Sequence, residues 1–292
     1  MLNNMLASKL VWSVIFAIGL AHGQSLNGVI DIHAHSDPDS TARSIDAIDL
    51  AKLAKARGMR GLVLKNHYES TAALAYVVRK EVPGIEIFGG IDLNLTVGGI
   101  NPAAVERMTM MKGGWGRVVW MPTFDAENQV RDSKENRPFV PVAKNGELLP
   151  DVKKVIAIVK LHNLMLETGH SSPEEGLMIV REARKQGVEH IVVTHATRPP
   201  VRMSVAQMQE AAKLGAMIEF VFDRANMAAN AKAIREVGPA NCILSSDLGQ
   251  PNNPLHPDGL MEFFAALKKE GFTDSQIDLM AKTNPAKALG LP

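Results

Sequence analysis

The chain has 292 residues, of which 46% are hydrophobic, and its 32 basic and 31 acidic side chains give a formal net charge of +1 at pH 7. A charge this close to zero, without a lysine- or arginine-rich cluster, excludes nucleic acid or an anionic membrane surface as the expected partner. The length and apolar content are sufficient for one globular domain that buries most of its surface.

Residues 1–23 have the pattern of a secretory signal peptide. They contain one charged side chain, Lys9, then an apolar run shorter than a membrane span, and small residues three and one positions before Gln24. We therefore expect cleavage before Gln24, export to the periplasm or the outside of the cell, and a mature domain over residues 24–292 that is not attached to a membrane. The alternative is an uncleaved N-terminal helix that anchors the protein.

Eight short apolar runs in the mature region predict β-strands that are covered on both faces, as in a parallel sheet. They cover residues 28–35, 61–67, 85–93, 117–124, 164–170, 190–196, 217–223 and 242–248. The single cysteine, Cys242, opens the last run, so an internal disulfide is excluded and we expect this side chain to be buried in the core.

Helical patterns separate the strands and have readable starts. Ser172 with Glu175 and Ser204 with Gln207 fit capping boxes, and Asn284 fits the cap of a C-terminal helix. Eight strand-to-helix units predict a (β/α)8 barrel, the TIM-barrel fold, as a single domain. The runner-up is an open doubly wound sheet, which would be expected to carry a glycine-rich phosphate loop that this sequence lacks.

The polar, proline-containing segment 125–150 interrupts the alternation after the fourth strand. We expect a long loop over the C-terminal mouth of the barrel. A loop of this length is uncommon unless it has a function, so a substrate lid is one interpretation and a mobile surface excursion is the other.

Histidines are concentrated where a barrel carries its chemistry, at the C-terminal ends of the strands. His33 and His35 end the first strand, and residues two apart on a strand point the same way, so this pair can bind one cation. The other candidate residues at strand ends are Lys65, His67, His170, His195 and Asp247. Imidazole and carboxylate ligands suit zinc or a similar divalent ion.

This pattern resembles the amidohydrolase superfamily of metal-dependent hydrolases. The resemblance rests on DIHAH (His33 and His35), ETGH (His170), VVTHA (His195) and SSD (Asp247), and on the closing NPAKALGL. It implies a metal-activated water that attacks an amide, a lactone or other ester, or a phosphoester of a small molecule. It also implies one or two divalent metal ions, with zinc expected and manganese, iron or cobalt as alternatives.

The resemblance implies a role for each matching residue. His33, His35 and Asp247 would hold a first metal, His170 and His195 a second, and Asp247 would act as the catalytic proton carrier. The fourth strand ends in WMPTF and lacks the bridging lysine or glutamate of the binuclear members. Lys65 on the second strand is therefore a candidate bridge in a carboxylated form, and the alternative is an ammonium that binds an anionic substrate.

Three further residues are candidates for substrate contact: Asn66, His67 and Asp223. The alternatives are that His67 caps a loop and that Asp223 caps the helix near Asn226, whereas Asp92 is expected only to form a turn. The competing functions are a metal-dependent decarboxylase and a barrel that binds metal or ligand without turnover. The expected partner is a small-molecule substrate, and the sequence leaves the oligomeric state open.

Overall fold

The computed structural model describes residues 25–292. The predicted signal peptide, residues 1–23, lies outside the described residues. Within residues 25–292, no helix is both long enough and apolar enough to cross a membrane.

Eight parallel strands in these residues pair in chain order, and this confirms the predicted barrel. The strands are β1 (Ile30–Ala34), β2 (Gly61–Leu64), β3 (Glu86–Asp92), β4 (Gly116–Trp120), β5 (Met165–Glu167), β6 (Ile191–Val193), β7 (Met217–Val221) and β8 (Cys242–Ser245). The last strand meets the first at a bridge between Ala34 and Leu248. The backbone N–H of His35 donates to the carbonyl of Leu248 at 2.9 Å, and that of Asp247 donates to the carbonyl of His33 at 2.9 Å.

Helices follow the strands and surround the barrel. Those of the described residues are α1 (Ala47–Ala56), α2 (Ala72–Glu81), α3 (Pro102–Thr109), α4 (Glu127–Asp132), α5 (Pro150–Leu161), α6 (Pro173–Lys185), α7 (Val205–Lys213), α8 (Met227–Val237), α9 (His256–Lys269), α10 (Asp274–Asp278) and α11 (Asn284–Ala288). Short 3-10 turns cover Leu95–Val97 and Pro239–Asn241, and a π-helical turn covers Leu279–Thr283. The predicted capping boxes at Ser172 and Ser204 are both present.

The prediction that Asn284 caps the C-terminal helix is wrong. The helical path is continuous from Leu279, and Asn284 itself has helical φ and ψ of −65° and −45°. Its side-chain N–H groups donate to the carbonyls of Cys242 at 2.7 Å and Pro239 at 3.1 Å. The amide therefore links the C-terminal helix to the start of β8. It donates hydrogen bonds to these carbonyls and does not cap a helix N-terminus.

The barrel interior is apolar towards its N-terminal end and charged towards its C-terminal end. In the apolar part of the interior, residues of α11 pack against Ile30, Ile32, Val63 and Trp120. The buried ionisable side chains of the interior are Lys65, Asp92, Glu167 and Glu219. These ionisable groups lie beneath the strand ends that carry the histidines.

A β-bulge in β1 directs the first two histidines. The register with β2 shifts between Asp31 and Ala34, so β1 has one extra residue there. Ile32 belongs to the interior cluster, whereas Ala34 packs on the outer side of the sheet. The bulge lets His33 face the interior directly after Ile32, which simple alternation along a strand would not allow.

Candidate metal centre

Three of the predicted ligands converge on one point at the C-terminal mouth. The Nε2 atom of His33 lies 3.1 Å from Oδ1 of Asp247, and Nε2 of His35 lies 3.2 Å from the same oxygen. All three ligand atoms lie within 4.8 Å of one another. The buried Nε2 of His33 has no hydrogen-bond partner among residues 25–292.

The second ring nitrogens of this pair are engaged elsewhere. Nδ1 of His35 donates to the backbone carbonyl of Lys65 at 2.7 Å, and Nδ1 of His33 faces a carboxylate oxygen of Glu219 at 3.1 Å. Because a carbonyl and a carboxylate only accept, each Nδ1 carries a hydrogen, and the two Nε2 atoms, which face Oδ1 of Asp247, are the ring atoms that a metal ion would engage in place of a proton. Two such imidazoles beside a carboxylate are a donor set that fits a divalent ion.

The other histidines complete a ring around the mouth. The ring centroids are separated by 5.8 Å between His33 and His195, 4.9 Å between His195 and His170, and 6.2 Å between His170 and His67. His67 in turn lies 4.9 Å from His35. The structure thus brings all the predicted ligands together, and which of them bind metal stays a prediction.

Two of these residues have strained backbones. His195 has a φ of 24° and Asp247 a φ of 51°, in the left-handed region that side chains other than glycine avoid. Such conformations persist where the surroundings enforce them, commonly at functional sites. Here the N–H of His195 donates to Oε2 of Glu219 at 2.7 Å, which helps to hold that backbone.

The sequence analysis missed Glu219, which organises the centre from within β7. It is fully buried, contacts His33 and the His195 backbone, and accepts from the Ser245 hydroxyl at 2.5 Å. Burial alone would raise its pKa, but the charge and hydrogen bond of His33 lower it below its ordinary value. A carboxylate within the apolar run MIEFVF was the signal that could have revealed it.

The electrostatics of His33 reflect two neighbouring acids. Burial and Lys65 lower its pKa, but Asp247 and Glu219 raise it to about 10. For Asp247, burial acts to raise the pKa, but the charge of His33 and the hydrogen bond from His35 hold it well below the usual value. The site therefore favours a positive charge between these two carboxylates.

Lys65 reaches the interior from β2. Its side chain is fully buried, its Nζ lies 3.5 Å from Oδ2 of Asp92, and it makes no hydrogen bond to any described residue. The same Nζ is 5.6 Å from the ring of Trp120, at the end of β4. The expectation that Asp92 only forms a turn is wrong, because it is the buried last residue of β3 and the charge partner of Lys65.

A pocket of about 320 Å³ opens above these residues. His35, Lys65, His67, His170, His195 and Asp247 line its floor, and Thr41, Arg43, Phe124, Gln129, Arg198, Pro199, Gln250 and Asn253 line its walls. Nη1 of Arg198 lies 3.4 Å from Oδ2 of Asp247. The two wall arginines, which the sequence analysis did not single out, give the pocket cationic groups next to the ligands.

Two of the predicted substrate contacts, Asn66 and Asp223, bond to neighbouring loop segments, and their substrate role stays a prediction. The amide of Asn66 donates to the carbonyl of Pro38 at 2.8 Å, and Asp223 accepts from the amide of Asn226 at 2.8 Å. Among the described residues, neither Asn66 nor Asp223 belongs to the lining of this pocket. Both side chains hold neighbouring loop segments instead, whereas His67 does line the pocket.

The segment 125–150 is more ordered than the expected loop. It contains α4 and a small hairpin of Ala143–Lys144 with Glu147–Leu148. Gln129 bonds Nδ1 of His170 at 2.8 Å, and the amide of Asn128 donates to the carbonyl of His170 at 3.0 Å. The segment therefore contacts a predicted ligand, and a lid function stays a prediction.

The barrel has relatives among solved structures. A phosphotriesterase homology protein from Escherichia coli, complexed with phosphate, is 17% identical over 91% of this chain and 99% of its own, with a TM-score of 0.62. An amidohydrolase from Pseudomonas aeruginosa is 12% identical over 90% and 95%, with a TM-score of 0.61. An organophosphorus hydrolase from Deinococcus radiodurans is 14% identical over 92% and 94%, with a TM-score of 0.62.

At these identities the likeness is one of fold, and it confirms the barrel architecture that the sequence resemblance implied. No curated protein matches the chain by sequence. The model of a family of unknown function, DUF6282, matches residues 28–219. The chain therefore belongs to the family of unknown function DUF6282, on a (β/α)8 barrel of the kind found in amidohydrolase and phosphotriesterase-like proteins.

Proposed function

We propose that this protein is a metal-dependent hydrolase of the amidohydrolase type that acts on a small molecule. The observation that carries the proposal is the convergence of His33, His35 and Asp247, with Nδ1 of both rings engaged elsewhere and both Nε2 atoms directed at one oxygen of Asp247. The fold supports it, since barrels of this kind place their chemistry at the C-terminal ends of the strands.

The centre would hold one or two divalent ions, with zinc expected and manganese, iron or cobalt as alternatives. His33, His35 and Asp247 would form the first site, and His170 with His195 would contribute to a second. Such an ion lowers the pKa of a water molecule from 15.7 towards about 7, which supplies hydroxide at neutral pH.

Asp247 is suited to carry the proton. Its Oδ1 atom faces the two histidines, while Oδ2 lies on the side of Arg198. Its low pKa keeps it ionised at neutral pH, so it can accept a proton from the attacking water and deliver it to the leaving group. Arg198 and Arg43 would bind polar or anionic oxygens of the substrate from the pocket wall.

Lys65 has two possible roles, a carboxylated bridge between metals or an ammonium. A carbamate would place a second negative charge beside Asp92, whose carboxylate is 3.5 Å away, whereas an ammonium neutralises it. The contact with Asp92 therefore supports the ammonium.

The bond that is cleaved stays open among an amide, a lactone or other ester, and a phosphoester. A metal-dependent decarboxylase and a binding barrel without turnover are the alternatives. The proposal that the protein acts in the periplasm or outside the cell rests on the sequence of residues 1–23.

The test combines metal content with turnover. Plasma mass spectrometry on purified protein gives metal per chain, and a panel of amides, lactones, esters and phosphoesters is assayed alongside carbon dioxide release. We expect bound metal and hydrolysis in the wild type, loss of hydrolysis in Asp247→Asn under saturating metal, and no change in Asp151→Asn, an exposed control on α5.

Several outcomes would overturn the proposal. Carbon dioxide release without hydrolysis would favour the decarboxylase, and metal without any turnover would favour the binding barrel. No metal after reconstitution would remove the basis of the hydrolase and of the decarboxylase, and would leave only a barrel that binds a ligand without metal. Lys65→Ala with unchanged metal content would support its ammonium role, and loss of one metal equivalent would support the bridge.

A further inference from the structure

We propose that His67 is a further metal ligand of this centre, through its Nε2 atom. The inference rests on the proposed function in one respect, namely that the centre binds a divalent ion. It adds a metal ligand from the loop after β2, whereas the fourth strand of this chain lacks a bridging lysine or glutamate.

The position of His67 meets the first requirement. Its ring lies between those of His35 and His170, with centroids 4.9 and 6.2 Å away. It lines the pocket and stacks on Phe124 at 3.8 Å, which fixes the plane of the ring. His67 therefore completes the ring of histidines. The indole of Trp120, at the end of β4, lies beneath this ring.

The orientation of the neighbouring Asn94 side chain determines which of its atoms donates and which accepts hydrogen bonds. Oδ1 of Asn94 accepts from the backbone N–H groups of Thr123 at 2.9 Å and Asp125 at 3.1 Å. Its Nδ2 must then be the donor, and it donates to the carbonyl of His67 at 2.6 Å and to Oγ1 of Thr123 at 2.7 Å. One lone pair of the threonine oxygen is thus occupied.

The threonine hydroxyl then determines the tautomer of His67. Thr123 has one hydrogen and two lone pairs, and it donates the hydrogen to Oδ2 of Asp92 at 3.0 Å. Its remaining lone pair faces Nδ1 of His67 at 2.9 Å, and the Asp92 oxygen lies 3.4 Å from the same nitrogen. Both neighbours of Nδ1 are therefore acceptors, so Nδ1 carries the hydrogen.

The consequence is an unprotonated Nε2 on the pocket side. A neutral imidazole has one N–H, and because Nδ1 of His67 carries it, Nε2 holds the lone pair. His67 then repeats the arrangement of His35 at Nδ1, which donates to an oxygen in both rings. An oxygen acceptor on the second nitrogen is what metal-bound histidines commonly have.

The test measures metal affinity directly and does not depend on turnover. Chelator-stripped protein is titrated with Zn²⁺ against a chromophoric competitor, and the visible absorption of the Co²⁺ form is recorded. We expect His67→Ala to lose one metal equivalent, or at least 100-fold in affinity, with an altered Co²⁺ spectrum. His162→Ala, at an exposed histidine paired with Glu106, is the matched control and should behave as wild type.

Thr123→Val provides a second variant that leaves the imidazole in place. It removes the acceptor of Nδ1 with a side chain of similar shape, and we expect a 10- to 100-fold loss of affinity at the same metal. If His67→Ala does not fold, Thr123→Val decides, and unchanged affinity in it overturns the inference.

The remaining outcomes separate this inference from the proposed function. If the wild type binds metal and His67→Ala keeps its stoichiometry, affinity and Co²⁺ spectrum, the ligand role of His67 is wrong and the hydrolase proposal survives. A raised KM in that variant would then make His67 a substrate contact. If the wild type binds no metal after reconstitution, both proposals fall.

Discussion

Glu167 should make the stability of the metal-free protein fall as the pH rises. Its side chain is fully buried in β5, with Oε2 accepting from the hydroxyl of Thr194 at 2.8 Å and Oε1 unpartnered among the described residues. Burial, and next the charge of Glu219, raise its pKa from 4.5 to about 8, while His33 and Lys65 act in the opposite direction. Glu167 is therefore protonated in the folded protein at neutral pH.

The sign and size of the effect follow from these two pKa values. Between pH 4.5 and about 8, the unfolded chain has released the proton of Glu167 while the folded chain still holds it. The folded state binds more protons, so the free energy of unfolding falls by about 1.4 kcal/mol per pH unit. Over the whole interval the loss amounts to roughly 5 kcal/mol.

Urea unfolding of wild type and Glu167→Gln at two pH values tests this reasoning. The protein must be chelator-treated, because a bound dication would itself lower the pKa of nearby carboxyl groups. The new amide costs about 1–3 kcal/mol at every pH if its N–H groups find no acceptor, so only the difference between pH values is informative. Between roughly pH 5.5 and 7.5, the wild type should lose roughly 3 kcal/mol more than the variant.

The exposed Glu147 supplies the matched control, since Glu147→Gln should leave the wild-type slope unchanged. Equal pH slopes for the wild type and Glu167→Gln would refute the reasoning. That result would mean that Glu167 is ionised in the folded barrel.

Three other predictions concern single contacts. Glu219→Gln weakens the hydrogen bond to His33, so Zn²⁺ affinity should fall 10- to 100-fold in competition titrations, and unchanged affinity would contradict the role of Glu219. Gly169 has a φ of 62°, and a Cβ there would lie 2.2 Å from the carbonyl oxygen of Met121. Gly169→Ala should therefore cost about 3 kcal/mol in urea unfolding, and a loss below roughly 1 kcal/mol would show that the turn relaxes. Ser172→Ala removes a capping box and should lower the melting temperature through a loss of about 1 kcal/mol, whereas an unchanged temperature would count against it.

The fold could be predicted from the sequence because local patterns and the global architecture agree. Apolar runs fully covered on both faces and capping boxes such as Ser172 with Glu175 each depend on a few neighbouring residues. Asn284 was misread because its true partners, the carbonyls of Pro239 and Cys242, are distant in sequence. A side chain whose local sequence fits a helix cap can instead form hydrogen bonds with residues that are distant in sequence.

The candidate site was only partly predictable, for a related reason. Asp92 and Glu219 lie within strands, where a carboxylate is stable only if other strands bring partners to it. Those partners are Lys65 from β2 for Asp92, and His33 from β1 for Glu219. The sequence contains the charges but not the pairing, so each looked like an isolated polar residue.

The positions of the candidate ligands in the chain were easier to predict than the directions in which their side chains point. β6 ends at Val193 and β8 at Ser245, so His195 and Asp247 lie beyond their strands, and both have left-handed backbones. Alternation along a strand does not determine where such side chains point. On β1, where alternation does apply, the bulge before Ala34 changes it so that His33 follows Ile32 into the interior. The centre therefore depends on local departures from strand geometry, and Glu219 helps to hold two candidate ligands in place by binding the ring of His33 and the backbone N–H of His195. Loss of that carboxylate should therefore disturb two candidate ligands at once, because one side chain contacts both.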